Sequence, residues 1–334
     1  MPRPIAEIQA AGHPVALADL VGEDRPLVIR GLCADWPVVA AARQSDTVFA
    51  NALAAFDGGT PVDTLLLPPE AEGVIGYDDD FGAFNYRHYR VTVTQALHRL
   101  ASASRAPDPP GIALQSASIP ACLPGFVETH RMPLLDPAIA PRLWIGNRVT
   151  TPVHFDEYHN IAVVAAGRRR FTLFPIEQVG NLYIGPLDFA PTGAAIGVAR
   201  LDRPDDPRHP RLREALAHAL QAELDPGDAL YLPPLWWHHV ESLHRINALV
   251  NYWWYPSSRD DRGARTGLAS LMHAVLALRG LPPAQRAAWR TVFDHYVFGD
   301  ADPVAHLPEG RRGMLGALTP EAAAALAERI RKYL

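Results

Sequence analysis

Lysine is almost absent from this 334-residue chain. Of its 31 basic residues only Lys332 is a lysine, and it lies near the C-terminal end. Enzymes that form a Schiff base, hold pyridoxal phosphate or grip nucleotide phosphates in a P-loop need a well-placed internal lysine, so those classes are excluded. Cysteine is nearly as scarce. Cys33 and Cys122 are too few for a disulfide framework or a cysteine-based zinc site, and they fit a reducing compartment. No apolar run reaches the roughly 18 residues that a membrane helix needs. The opening stretch, MPRPIAEIQAAGHPVALADL, lacks a basic region followed by an apolar run and a cleavage site. A cytoplasmic chain without a membrane span is therefore expected. The net charge of −5 disfavours a nucleic-acid partner, because duplex binding rests on Lys and Arg contacts to phosphates.

What is present is an ordinary globular composition, 48% hydrophobic and 20% charged. Proline is abundant, with 32 residues, which favours short strands and turns over long helices. Strands are predicted at 25–31, 61–67, 72–77 and 111–117, with a short helix over 92–102. The middle of the chain is dense in strands: 142–147, 151–156, 160–167 and 169–175, with a tight turn at Gly167-Arg168. Residues 176–210 read as irregular, and 218–227 is ambiguous between helix and strand. ALYLPP reads as a strand, and 236–243 with 246–255 as a strand pair. From about 262 the pattern becomes helical, with Pro282-Pro283 and Thr319-Pro320-Glu321 as helix starts. A β-rich body of sandwich or barrel type, followed by a helical segment, is the expected architecture.

One constellation carries chemistry. His154 and Asp156 stand two apart on a predicted strand, so alternation puts both on one face. His238 and His239 follow much later, in LWWHHV. A His-x-Asp pair on one strand and a distant His on another can form a 2-His-1-carboxylate triad, which leaves open positions on Fe(II). Neighbouring strand residues face opposite ways, so only one of His238 and His239 can join it.

The runs TPVHFDEYHN, GRRRFTLFP, PGDALYLPPLWWHHVESL and VNYWW, in that order, resemble the cupin-like JmjC family of Fe(II)/2-oxoglutarate oxygenases. The likeness is particularly to its branch of asparaginyl hydroxylases acting on hypoxia-inducible factor and their bacterial relatives. PLVIRGLCADWP is similar to that family's opening, and the resemblance spans roughly residues 20–260. It implies a double-stranded β-helix, or jelly roll, over 1–260, with flanking helices and a C-terminal helical segment over 261–334 that makes a homodimer. It also implies His154, Asp156 and His238 as iron ligands, with His239 facing away. Thr151, Asn160, Arg169, Asn251 and Trp253 match positions around 2-oxoglutarate. Arg169 stands where the family commonly has a lysine for the distal carboxylate of the cosubstrate. Strand alternation turns its neighbours Arg168 and Arg170 outward, and Ala113 stands where relatives often have a tyrosine.

Three functions compete. The first is an Fe(II)/2-oxoglutarate oxygenase hydroxylating a protein or peptide side chain or a small molecule; demethylation follows if the hydroxylated carbon sits on nitrogen. The second is a non-oxygenase metal-binding cupin, an isomerase or binding protein, which would need further ligands such as Glu157 or His159. The third is an interaction protein with a degenerate site, which the intact triad opposes.

Overall fold

A computed structural model of the protein describes residues 2–11, 15–255 and 266–331. Fourteen strands appear among the described residues. They are β1 (Arg3–Pro4), β2 (Ala6–Gln9), β3 (Leu27–Arg30), β4 (Val62–Leu67), β5 (Arg87–Val91), β6 (Gly111–Ser118) and β7 (Arg142–Gly146). They continue as β8 (Thr150–His154), β9 (His159–Ala166), β10 (Arg169–Phe174), β11 (Leu220–Leu224), β12 (Ala229–Leu232), β13 (Trp237–Ser242) and β14 (Asn247–Trp254). They make a five-stranded sheet, β1-β11-β10-β13-β8, and a nine-stranded sheet, β2-β3-β12-β9-β14-β7-β6-β4-β5. The fold is mainly β, two multi-stranded sheets with added helices, as expected.

The space between the sheets is an apolar core. Phe171, Leu173 and Val240 of the smaller sheet meet Ala162, Val164, Leu230 and Leu249 of the larger one. Strand β9 lies between β12 and β14, and all eight of its residues are buried. A strand covered on both faces must read as a continuous apolar run rather than an alternating one, and IAVVAA does. The outer face of the larger sheet is covered by helices α1 (Leu17–Glu23), α2 (Pro37–Gln44), α3 (Asp46–Ala54) and α4 (Val93–Ala103). Helix α4 is fixed at its start by a reciprocal Thr92/Gln95 capping box. His130 caps another helix: its Nε2 accepts the Val38 N–H at 3.1 Å, one of the donors that the first turn of α2 leaves without an intrahelical partner.

Two sequence expectations are corrected here. Residues 72–77 do not form a strand; they make two isolated bridges, Val74 to Thr150 and Tyr77 to Phe84, and the partner of β4 on that side is β5. Residues 236–243 and 246–255 are strands but not a pair. β13 lies between β10 and β8, whereas β14 lies between β9 and β7 in the other sheet. The short 243–246 connection is a crossing between layers, not a hairpin. The ambiguous 218–227 resolves into the end of a helix, Leu212–His218, and strand β11. At Gly167, φ is +73° and an added Cβ would come within 2.4 Å of the Ile246 carbonyl, so the turn between β9 and β10 requires glycine.

The chain divides into two compact units, residues 1–267 and 268–334; the boundary expected at 260/261 lies outside the described residues. The C-terminal region carries helices at Thr266–Leu278, Pro283–Phe293 and Pro320–Arg331. Pro282 and Pro283 sit at a helix start, and Thr319 Oγ1 accepts the Ala322 N–H, as expected. Of the nineteen exposed large apolar side chains among the described residues, twelve lie between Leu271 and Ile330. That region exposes its apolar surface where the β body buries it. No helix among the described residues is long and apolar enough to cross a membrane.

Candidate metal centre

β8 and β13 run antiparallel, with His154 opposite His238. One step further along, Val240 lies opposite Thr151, so two residues of β13 face three of β8. The extra residue is a β-bulge. It matters because Thr151 and His154 are three apart, and strict alternation would put them on opposite faces. The bulge turns both toward the interior and sends Val153 outward, where it packs with Phe174 and Trp237.

Asp156 lies two residues beyond the end of β8 rather than on it, a correction to the strand expected over 151–156. Its backbone carbonyl accepts the Leu235 N–H at 2.8 Å, which ties this turn to the segment entering β13. Ligand atoms of His154, Asp156 and His238 then lie within 4.8 Å of one another. The two imidazole centroids are 4.0 Å apart, and His238 Nε2 is 3.7 Å from Asp156 Oδ2.

Both imidazoles are oriented through the other ring nitrogen. His154 Nδ1 donates to the Pro152 carbonyl at 2.8 Å, and His238 Nδ1 donates to the Trp236 carbonyl at 3.0 Å. A carbonyl can only accept, so these bonds put a proton on Nδ1 and leave Nε2, which carries the lone pair of a neutral ring, facing the cluster. Burial, with His154 close by, pushes the His238 pKa down, which keeps that lone pair available. This is the protonation state a metal ligand requires.

His239 faces the other way. It pairs across the sheet with Thr172, while His238 pairs with Leu173 of the core. No fourth ligand joins the cluster among the described residues. His159 is occupied elsewhere, since its Nδ1 lies 2.8 Å from the Tyr231 hydroxyl and its ring stacks on Trp254.

The remaining expected site residues gather on the same interior. Asn251 Nδ2 donates to Asn160 Oδ1 at 3.2 Å, and Asn251 Oδ1 accepts Trp144 Nε1–H at 2.8 Å. Trp253 packs edge-on against Trp144, with centroids 6.0 Å apart. Trp144 is a member of this group that the sequence reading missed; nothing in RLWIGN separates it from an ordinary core tryptophan. Ala113 packs with Leu65, Leu67, Ile75 and Val149.

Arg169 is the electrostatic anomaly. It follows the Gly167 turn, faces the same side as Phe171 and Leu173, and is 8% exposed. Its Nε has no hydrogen-bond partner and no ion pair involves it among the described residues. Burial pushes its pKa down to about 10. An uncompensated guanidinium at such a position costs several kcal/mol. Its neighbours behave oppositely: Arg168 pairs with Asp225 at 2.7 Å and Arg170 with Glu223 at 2.8 Å, both on the outer side.

Residues 14–260 match the family model described as "Cupin-like domain". Among curated proteins, human HSPB1-associated protein 1 is 33% identical over 150 residues, 44% of this chain and 30% of that protein. Jumonji C domain-containing protein 5 of Drosophila melanogaster is 33% identical over 118 residues, 35% of this chain and 28% of that protein. Lysine-specific demethylase JMJ31 of Arabidopsis thaliana is 31% identical over 113 residues, 33% of this chain and 20% of that protein. The chain thus spans less than a third of the length of these relatives. With its jelly roll and its His/Asp/His cluster, this chain belongs to the cupin-like family to which the Jumonji C proteins also belong.

Proposed function

We propose that this chain is an Fe(II)- and 2-oxoglutarate-dependent oxygenase, a hydroxylase of a protein or peptide side chain or of a small molecule. The observation that carries this reading is the convergence of His154, Asp156 and His238, whose ligand atoms lie within 4.8 Å of one another inside the jelly roll. Two imidazoles held through Nδ1 and one carboxylate suit Fe(II) and leave positions open on it. The iron and 2-oxoglutarate, when bound, supply the oxidising chemistry. The chain's residues bind and orient. Arg169, buried and unpaired, is the cation for the distal carboxylate of 2-oxoglutarate, and a planar fork suits that partner. Thr151, Asn160 and Asn251 supply hydrogen-bonding groups beside it. Trp253 and Trp144 form an aromatic wall that keeps water out.

The test is oxygen uptake by the iron-loaded protein. Uptake should depend on 2-oxoglutarate and vanish in Asp156→Ala. A non-oxygenase metal cupin would show no such uptake. Formaldehyde release with a methylated substrate would assign demethylation in place of simple hydroxylation.

The same reading takes the chain as a cytoplasmic homodimer without a nucleic-acid partner. What supports the dimer is the apolar surface of the C-terminal region, where Leu276 is 85% and Phe298 72% exposed; two-fold dimers are the commonest way to cover such a face. Light scattering at micromolar concentration should give twice the chain mass, and a chain ending at residue 260 should be monomeric or aggregate. A full-length monomer would refute the dimer.

A further inference from the structure

A cavity of about 560 Å³ lies on the outer face of the five-stranded sheet, away from the metal cluster. Its floor is the row of side chains that alternation turns outward: Thr150, Arg170, Thr172, His239 and Glu241. Thr150 pairs across the strands with Glu241, and Thr172 with His239. Leu201, Leu216 and Val74 add an apolar rim. Nothing in the proposed oxygenase chemistry uses this cavity. Its least satisfied member is His239, a side chain 9% exposed whose Nδ1 has no hydrogen-bond partner. The nearby Glu241 Oε2 is 4.0 Å away, beyond hydrogen-bond reach.

The charges around the cavity decide what it can hold. Arg170, Arg200 and Arg213 face Glu72, Asp202 and Glu241, and Glu223 and Asp205 stand beside Arg170 and Arg213, so no arginine here lacks a carboxylate. Most of these groups are already paired. Arg200 makes a two-pronged pair with Asp202 at 3.0 and 2.7 Å and also reaches Glu72. Arg213 is held by Asp205. Arg170 uses Nε and Nη2 on Glu223 at 3.1 and 2.8 Å. Its Nη1 reaches Glu241 only at 3.4–3.5 Å, at the limit of a hydrogen bond. Spare capacity is therefore concentrated in three neighbours: a donor on Arg170, acceptors on Glu241 and the His239 ring. An anion would find no unpaired arginine here, and a cation would meet only the Glu241 carboxylate, which already faces Arg170. A neutral ligand can complete the three groups without that cost.

We propose that this outer cavity is a second ligand site, which takes a small uncharged molecule carrying both hydrogen-bond donors and acceptors, such as a carboxamide or a polyhydroxy compound. The site shares strand β13 with the metal cluster but not its ligands, since His238 faces inward and His239 outward.

Four probes test it on the full-length protein: propionamide and D-glucose as neutral molecules, succinate as an anion and propylammonium as a cation. Binding is read by saturation-transfer NMR and titration calorimetry. At least one neutral probe should bind, with an affinity that does not change between low and high salt. His239→Phe keeps the ring's bulk and Glu241→Gln keeps the side-chain shape; each should weaken that binding about tenfold, the cost of a lost hydrogen bond. Metal affinity should be retained in both, which also reports that they fold. Binding by succinate or propylammonium alone, binding by no probe, or neutral binding that both folded variants leave unchanged would overturn the proposal.

Discussion

The two faces of the five-stranded sheet are made from the same strands and the same residue types, yet they are opposite in electrostatic character. On the inner face Arg169 is buried among apolar side chains with no partner; one position on, Arg170 is half-exposed and bridges Glu223 and Glu241. On the inner face His238 joins a His/Asp/His cluster; one position on, His239 lines an outer cavity whose arginines are paired. The outer face pairs each of its arginines with a carboxylate. The inner face leaves a cation and three metal-ligand atoms unsatisfied, which is the signature of a surface completed by something other than the chain. Function on this sheet is read from what is left unpaired, not from how many polar residues it has.

The comparison breaks most visibly at the metal. His154→Ala or Asp156→Ala should lose more Mn(II) or Fe(II) affinity than the roughly 10- to 100-fold that removing an outer hydrogen-bond partner costs. His239→Ala should stay within a few-fold of wild type in equilibrium dialysis, on the same ground. Equal losses from His239→Ala, with retention in His238→Ala, would mean that the wrong face had been assigned.

The arginine pair gives the next effect, and it has opposite signs on the two faces. Removing an uncompensated buried charge relieves its desolvation cost, so Arg169→Met should stabilise the metal-free protein by about 1–4 kcal/mol. Arg170→Met should destabilise it by no more than about 1 kcal/mol, the usual worth of a solvent-accessible ion pair. Urea denaturation of the metal-free proteins measures both.

The smallest effect lies off the sheet and serves as a control for neutral buried histidine. Burial lowers the His130 pKa, against the opposing bond to the Phe126 carbonyl, and its Nε2 must stay unprotonated to accept the Val38 N–H. The unfolded chain binds a proton at the ordinary histidine value of about 6.5, and the native ring does so only at lower pH. The unfolded state then holds more protons across that window, so stability falls as pH falls below about 6.5 and is fully present above it. His130→Gln should reduce that slope between pH 6.5 and 5 in thermal melts.

Much of this was legible from the sequence because strand periodicity and the HFD and WWHH runs are local signals. The inward Arg169 came from the family resemblance, with strand alternation turning Arg168 and Arg170 outward. The bulge in β8 did not, because it is a property of pairing with β13 and leaves no mark in TTPVH. The Trp144–Asn251–Asn160 chain of hydrogen bonds joins residues far apart in sequence, and no spacing rule reaches that far. The false strand pair at 236–255 came from reading a short connection as a hairpin. In a jelly roll the same short connection carries the chain from one sheet to the other. The helices α1–α3 were also missed, since segments such as PVVAAARQ are too short for helical periodicity to stand out.

The most direct measurement is anaerobic calorimetric titration of the metal-loaded protein with 2-oxoglutarate, wild type against Arg169→Ala. Breaking a buried charge-assisted pair costs about 2–4 kcal/mol, so the variant should bind about 30- to 1,000-fold more weakly, with metal stoichiometry unchanged and Arg169→Lys in between. If Arg169→Ala binds 2-oxoglutarate as tightly as wild type, the unpaired guanidinium of the inner face is not the cosubstrate anchor, and the account of that face is wrong.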